Sequence, residues 1–446
     1  MVALFWLLPA AYRWWFLLFA SCGFYMAFVP IYIAVLAVII GIDFYVGLKI
    51  DSCGEPRARR RWLLVSIVAN LGILFSFKYL DWFLSLILGP HSDWRLGWML
   101  PLGLSFHVFQ SLAYTVDVYR RHTPVEKHLG RFALYVLIFP QMVAGPIERP
   151  QHLLPQLWRP SMPTPSAWRS GLRLILLGYL KKSLLADNLV IIVERVFDQP
   201  AVFDSPSVIF AAVVFCFQIY GDFSGYTDIA RGSALLLGIN LRLNFLRPQL
   251  ATSPHEFWRR WHVSLSTWFR DFVYLPLGGS RRGPLRTWLN TMITFGLSGL
   301  WHGANFTYLC WGLFHGMMVS LTKSLPSRLW GGVFGWLFTL ATMSVGFIFF
   351  RSHSLDQALQ LLKMAFGWSD EVVAVSFGQL FTAREMRMAS WLIFGLLLAE
   401  WLSAREWLQR IWLRSRAFRW LIYYAAIALL GIAGRFEARN FIYFQF

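Results

Sequence analysis

Long apolar runs separated by short polar or basic turns set the pattern of this chain. Residues 3–50 hold two or three apolar segments, interrupted at Arg13 and Pro30. The basic run Arg57-Ala58-Arg59-Arg60-Arg61 comes next, then an apolar stretch from Trp62 to Leu88, a turn over 89–98, and a run over 100–119 that ends at Arg120 and Arg121. A pass begins at Leu172, and further runs cover 207–221, 287–301, 303–321, 333–350, 388–402 and 418–434. Runs near or above about 18 residues predict membrane-spanning helices. The pattern therefore predicts an all-α, polytopic integral membrane protein with roughly eleven to thirteen apolar passes, some of them re-entrant. No repeat or linker divides the chain. It reads as one membrane-embedded domain over 1–446, with a core at about 130–322 and C-terminal helices over 333–446.

Residues 132–147 depart from this pattern. The segment is short for a crossing, ends in FPQMVAGPIERP, and carries basic residues on both flanks: Lys127 and Arg131 before it, Arg149 and Arg159 after it. Breaks at Pro140, Gly145 and Pro146, with the same charge on both sides, predict a re-entrant hairpin. Elsewhere Lys and Arg gather in short loops, which places 57–61 and 281–282 on the cytoplasmic side. The turn at 89–98 and the loop at 198–206, which holds Asp198 and Asp204 and no Lys or Arg, face outward. The 367–387 loop is the longest candidate on either face.

Composition sharpens the class. Hydrophobic residues make up 57% and charged residues only 14% of the 446, where a soluble domain carries about 25% charged. The 23 tryptophans suit a protein with many membrane–water interfaces. Net charge is +18, but its placement between apolar runs fits membrane orientation, so no nucleic-acid partner is expected. Cys22, Cys53, Cys216 and Cys310 are scattered without metal-ligand spacing, so no metal is expected. No cleavable signal peptide is evident, and the first pass reads as the anchor.

Candidate chemistry lies between Gly221 and Gly316, in GDFSGYTDIA, SPHEFWRRWHVSLS, LSGLWHGANF and WGLFHG. Ionisable groups in apolar sequence are costly and mark function by default. Ser253-Pro254-His255-Glu256 forms a capping box with a helix-initiating proline. A helix continuing from it puts Trp258, Trp261, His262, Leu265 and Phe269 on one face. Arg259 and Arg260 then suit either headgroup anchoring or an anionic ligand, and His262 either a structural hydrogen bond or chemistry. From Arg286 to His302 is sixteen residues, about 24 Å of helix, which takes His302 well inside the bilayer or near its outer half, beside Gly299 and Gly303. A neutral imidazole there can accept a proton from an alcohol. If the segment stays helical, His315 lies about 20 Å further along and cannot share a substrate atom with His302. Asp222 and Asp228 read as helix-breaking or hydrogen-bonding residues.

DFSGYTDIA, EFWRRWHVSLSTWFRDFVYLPLGG, SGLWHGANFTYLCWGLFHG, FPQMVAGPIERP and FIYFQF together resemble the membrane-bound O-acyltransferase family, and within it the bacterial branch that serves alginate O-acetylation. The resemblance runs from about Phe44 to Phe446. It implies a helical bundle with a central tunnel, and His302 and His262 as the catalytic positions. Arg259, Arg260, Trp261, Asp228 and Asn305 are the candidate substrate-binding residues. It further implies a multi-pass protein of the bacterial inner membrane that takes acetyl-CoA or another activated acyl donor as substrate, with no bound cofactor. Expected partners are membrane lipid and extracytoplasmic polysaccharide acetyltransferase proteins. A D-alanyl or lipid O-acyltransferase of the same family, or a transporter without chemistry, stays open. The D-alanyl branch resembles this chain in WHG but has a further His in the next pass, and the run Thr339–Phe350 here has none.

Overall fold

The computed structural model describes residues 1–89, 95–143, 145–158, 160–199, 202–369, 373, 375–436 and 441–442. Helices dominate, and among the described residues the only β pairing is an isolated bridge between Phe203 and Val375. Among the described residues, six helices are long and apolar enough to cross a membrane: Pro30–Ser52, Pro56–Lys78, Ser205–Leu236, Gly332–Arg351, Ala383–Ser403 and Arg416–Ala433. The chain falls into two compact units, residues 1–175 with 227–243, and residues 176–226 with 244–446.

In the first unit, α1 (Ala10–Met26) contains Arg13 without breaking. The arginine folds back to donate to the carbonyls of Leu8 and Trp6 at the end of the preceding short helix, so the interruption comes at Pro9. α2 (Ile33–Ser52), α3 (Pro56–Lys78) and α4 (Leu104–Tyr119) pack on one another around Asp43. That buried carboxylate accepts hydrogen bonds from Ser66, Asn70 and Ser111, which meets the requirement that a charge in the interior be paired or bonded. The run expected over 62–88 is two helices, because α3 stops at Lys78 and a second helix covers Leu80–Leu88. The turn at 89–98 lies partly outside the described residues. α5 (Leu129–Leu137) has nine residues and rises about 14 Å, less than half a hydrocarbon core. The FPQ turn follows it.

α6 (Ser205–Leu236) runs unbroken through GDFSGYTDIA, where the sequence suggested a break. Its glycines serve close packing instead. A methyl at Gly221 would lie 2.9 Å from the Lys181 carbonyl oxygen, and one at Gly225 would lie 2.8 Å from that of Gly178. In the second unit, α7 (Pro254–Arg260) and α8 (Val263–Phe269) are short, and α9 (Pro284–His302) and α10 (Phe306–Ser324) form an antiparallel hairpin packed along its length. α7 packs on α10 and on α11 (Gly332–Arg351). The expected 367–387 loop is shorter at its end, since Thr382 caps α12 (Ala383–Ser403) with a full capping box. α13 (Arg416–Ala433) closes the helical part, and of FIYFQF only residues 441–442 are described.

Candidate functional site

Ser253 begins the site as its local sequence predicts. Its hydroxyl accepts the Glu256 N–H at 3.2 Å, and Pro254 occupies the first helical position. The reciprocal half of the box is displaced by one residue. Glu256 accepts from the Thr252 N–H at 2.7 Å, and its other oxygen takes the Arg260 guanidinium at 2.5 Å.

The helix expected to continue to Phe269 ends at Arg260. Trp261 is extended and His262 takes a left-handed backbone, φ 42 and ψ 55, before α8 begins. Asn244 and Leu246 cause the break. The Arg260 carbonyl accepts the Leu246 N–H at 2.9 Å, and the Val263 N–H goes to the Asn244 carbonyl at 2.9 Å. The Ser264 N–H goes to the Asn244 side-chain oxygen at 3.1 Å. In a continuous helix Val263 and Ser264 would instead donate four residues back. A non-glycine residue in this region costs about 1–2 kcal/mol, which these tertiary bonds offset. Trp258, Trp261, His262, Leu265 and Phe269, which helical spacing put on one face, still line one cavity, but the chain presents them through a kink and not along a continuous helix.

His262 and His302 both line one cavity of 240 Å³ in the second unit. No through-going tunnel is delineated among the described residues. His302 is the last residue of α9, 4% exposed, with its ring set edge-on to Trp301 at 4.9 Å, Trp311 at 5.0 Å and Phe350 at 5.3 Å. Trp301 also meets the His262 ring, at 6.4 Å, so the two imidazoles share this indole as a neighbour. Trp258, Trp261, Leu265, Phe269 and Phe295 supply the apolar walls. Thr291, Thr294 and Ser298 add a polar stripe on α9 leading to His302.

Four basic side chains also line the cavity: His255, Arg259, Arg270 and Lys323. Arg270 pairs with Asp271 at 2.8 Å, while Arg259 and Lys323 have no carboxylate partner among the described residues. Burial pushes the His255 imidazole below its usual range, and the Arg259 and Lys323 charges push it further down against the opposing pull of Glu256. Two cations, Arg259 and Lys323, close enough to disfavour the charged form of His255 make this part of the cavity a place for an anion.

Of the sequence-derived candidates, the fold brings His302, His262, Arg259 and Trp261 to one cavity. Arg260, Asp228 and Asn305 are not among its lining residues. Arg260 holds Glu256 and the Arg247 carbonyl. Asp228 sits 3.8 Å from Arg231 in the first unit. Asn305 caps α10 by accepting the Thr307 N–H and donates to the His353 carbonyl at 2.9 Å. His315 is nearer to His302 than a straight helix would allow. The chain reverses after His302, and both rings pack on Trp311, His315 at 5.2 Å. Sequence reasoning missed Lys323, Arg270 and Asn244. The threonine–serine stripe at 291, 294 and 298 was readable from its helical spacing.

The model of the membrane-bound O-acyltransferase family matches residues 117–329, the segment that carries every residue of this cavity. A probable alginate O-acetylase of Pseudomonas putida is 35% identical over 383 residues, covering 83% of this chain and 78% of the relative. The chain belongs to the membrane-bound O-acyltransferase family. A peptidoglycan O-acetyltransferase of Helicobacter pylori is 31% identical over 78% of this acyltransferase and 72% of its own length. A teichoic acid D-alanyltransferase of Streptococcus thermophilus is 28% identical over 57% and 69%. With six candidate spans among its described residues, this is a multi-pass membrane O-acyltransferase.

Proposed function

We propose that this acyltransferase moves acetyl groups from an activated cytoplasmic donor to hydroxyls of an extracytoplasmic polysaccharide, alginate-like in chemistry, from the bacterial inner membrane. The observation that carries the reading is a single cavity lined by both His302 and His262 and by Arg259 and Lys323. Relatives named for acetylating alginate and peptidoglycan support acetyl as the group and a polysaccharide as the acceptor. His302 takes the proton of the acceptor hydroxyl, the oxygen attacks the acetyl carbonyl, and the carbon–sulfur bond of a thioester donor breaks. The thiolate then recovers the proton from the imidazolium, so the imidazole is regenerated. General-base work of this kind contributes typically about 10²–10⁴-fold in rate. Arg259 and Lys323 hold the anionic part of a donor such as acetyl-CoA by charge-assisted hydrogen bonds. No bound cofactor enters this scheme.

Polymer recognition falls to a separate extracytoplasmic acetyltransferase. No connection between the described helices approaches the roughly 50 residues of a compact binding domain. The test is reconstitution in proteoliposomes with acetyl-CoA inside and deacetylated alginate outside. Expected are thioester turnover by the wild type, its loss by at least about a hundredfold in His302→Ala at equal insertion, and little polymer acetylation without a partner. A His302→Ala protein that keeps more than about a tenth of the turnover refutes the base assignment. Efficient acetylation of the polymer by this chain alone refutes the division of labour.

A further inference from the structure

Asp222 and Ile442, 220 residues apart in the sequence, are joined by a hydrogen bond. In α6, the Asp222 carboxylate is 1% exposed and uses both oxygens. One takes Lys182 Nζ at 2.6 Å, and the same ammonium also pairs with Asp187 at 2.9 Å. The other accepts the Ile442 N–H at 2.9 Å. Upstream, residues 433 and 435 are tied to the 183–188 segment. The Arg435 N–H donates to the Ser183 carbonyl at 2.9 Å, and Asn188 bonds both the Ala433 carbonyl and the Arg435 side chain. Phe441 then lies on Tyr226 at 5.1 Å and on Phe223 at 6.0 Å. Phe223 also meets the His262 ring, edge-on at 4.7 Å.

We propose that Asp222 is a positioning residue, which clasps the 441–442 segment against Phe223 and thereby holds the His262 ring at the cavity wall. Lys182 holds the carboxylate aimed by its contact at 2.6 Å, since a buried carboxylate needs a partner. Phe441 transmits the clasp, because close-packed aromatic rings do not yield to small displacements. The left-handed backbone of His262 has to be held by its surroundings, and the Phe223 ring holds the side chain as Asn244 holds the main chain. Asp222 touches no reacting atom in this arrangement. It acts through Phe223 and His262.

This inference rests on His262 belonging to the site, so the experiment includes His262→Ala. Full-length protein in proteoliposomes is assayed for acetyl-CoA turnover, with kcat and KM determined on the folded, monodisperse fraction. Asp222→Leu and Phe441→Ala are expected to lower kcat by about tenfold while the KM for acetyl-CoA stays within about twofold. Asp222→Asn recovers much of the loss relative to Asp222→Leu, because its amide oxygen still accepts the Ile442 N–H. If Asp222→Leu does not fold, Phe441→Ala carries the test, since it removes only ring contacts and leaves the ion pair intact. Wild-type kcat in the folded clasp variants, or equal losses in Asp222→Asn and Asp222→Leu, overturns the proposal. Should His262→Ala itself retain full turnover, the assignment of His262 fails. If His262→Ala is impaired and the clasp variants are not, only the clasp fails.

Discussion

Replacing Gly346 by alanine tests whether the aromatic packing around His315 sets the shape of the cavity. A methyl group at that position of α11 would lie inside van der Waals contact of His315 Nε2 and 2.6 Å from its Cε1. The imidazole has nowhere to go. It is fully buried, with Trp258 at 5.0 Å, Trp311 at 5.2 Å and Phe347 at 6.4 Å. Overpacking a filled core costs typically about 1–3 kcal/mol, and a rigid ring closed in by two indoles belongs at the upper end. Alanine returns about 1 kcal/mol through its better helix propensity. The net expectation is a destabilisation of about 2 kcal/mol. Displacement of Trp258 and Trp311, the first a cavity wall and the second a support of His302, should also reduce turnover. The assay is an unfolding titration in micelles beside acetyl-CoA turnover, for Gly346→Ala, His315→Ala and the double variant. His315→Ala makes room for the new methyl, so the double variant should be more stable than the sum of the single effects, by a coupling of about 0.5–3 kcal/mol. A Gly346→Ala protein as stable and active as the wild type, or strictly additive effects, would refute the reasoning.

Two further outcomes follow from the site. Arg259→Gln should raise the KM for acetyl-CoA more than it lowers kcat, whereas Arg260→Gln, whose partner is Glu256, should leave that KM near its wild-type value. Equal KM values in the two variants would mean that the cavity wall does not select the donor. Asn244→Leu strands the buried Ser264 N–H at a cost of about 1–3 kcal/mol and frees the backbone at His262, so kcat should fall with it. Unchanged kcat would detach the kink from the chemistry.

Local signals in this chain were legible wherever the physics is local. Ser253 and Pro254 start a helix because a hydroxyl and a fixed φ act within one turn. The Glu256–Arg260 pair was equally readable, being four residues apart on a helix, and it separates two arginines that composition treats alike. His302 stood out because a histidine at the end of a long apolar run has no ordinary reason to be there. Residues far apart in sequence decided the rest. Nothing near His262 breaks the helix until Asn244 and Leu246 offer its peptide groups other partners. Gly221 and Gly225 look like breaks until the 178–185 segment is packed against them.

What the sequence determined by itself is the membrane class, the starts of helices, and which rare polar side chains lie in apolar surroundings, because hydropathy and capping are sums over neighbours along the chain. Only the tertiary structure decided that α10 turns back to bring Lys323 to the cavity that Arg259 faces, that His315 shares an indole with His302, and that Asp222 closes on Ile442. Those relations depend on which helices pack together, and a hydrogen bond or ring contact across hundreds of residues leaves no periodicity for a local pattern to carry.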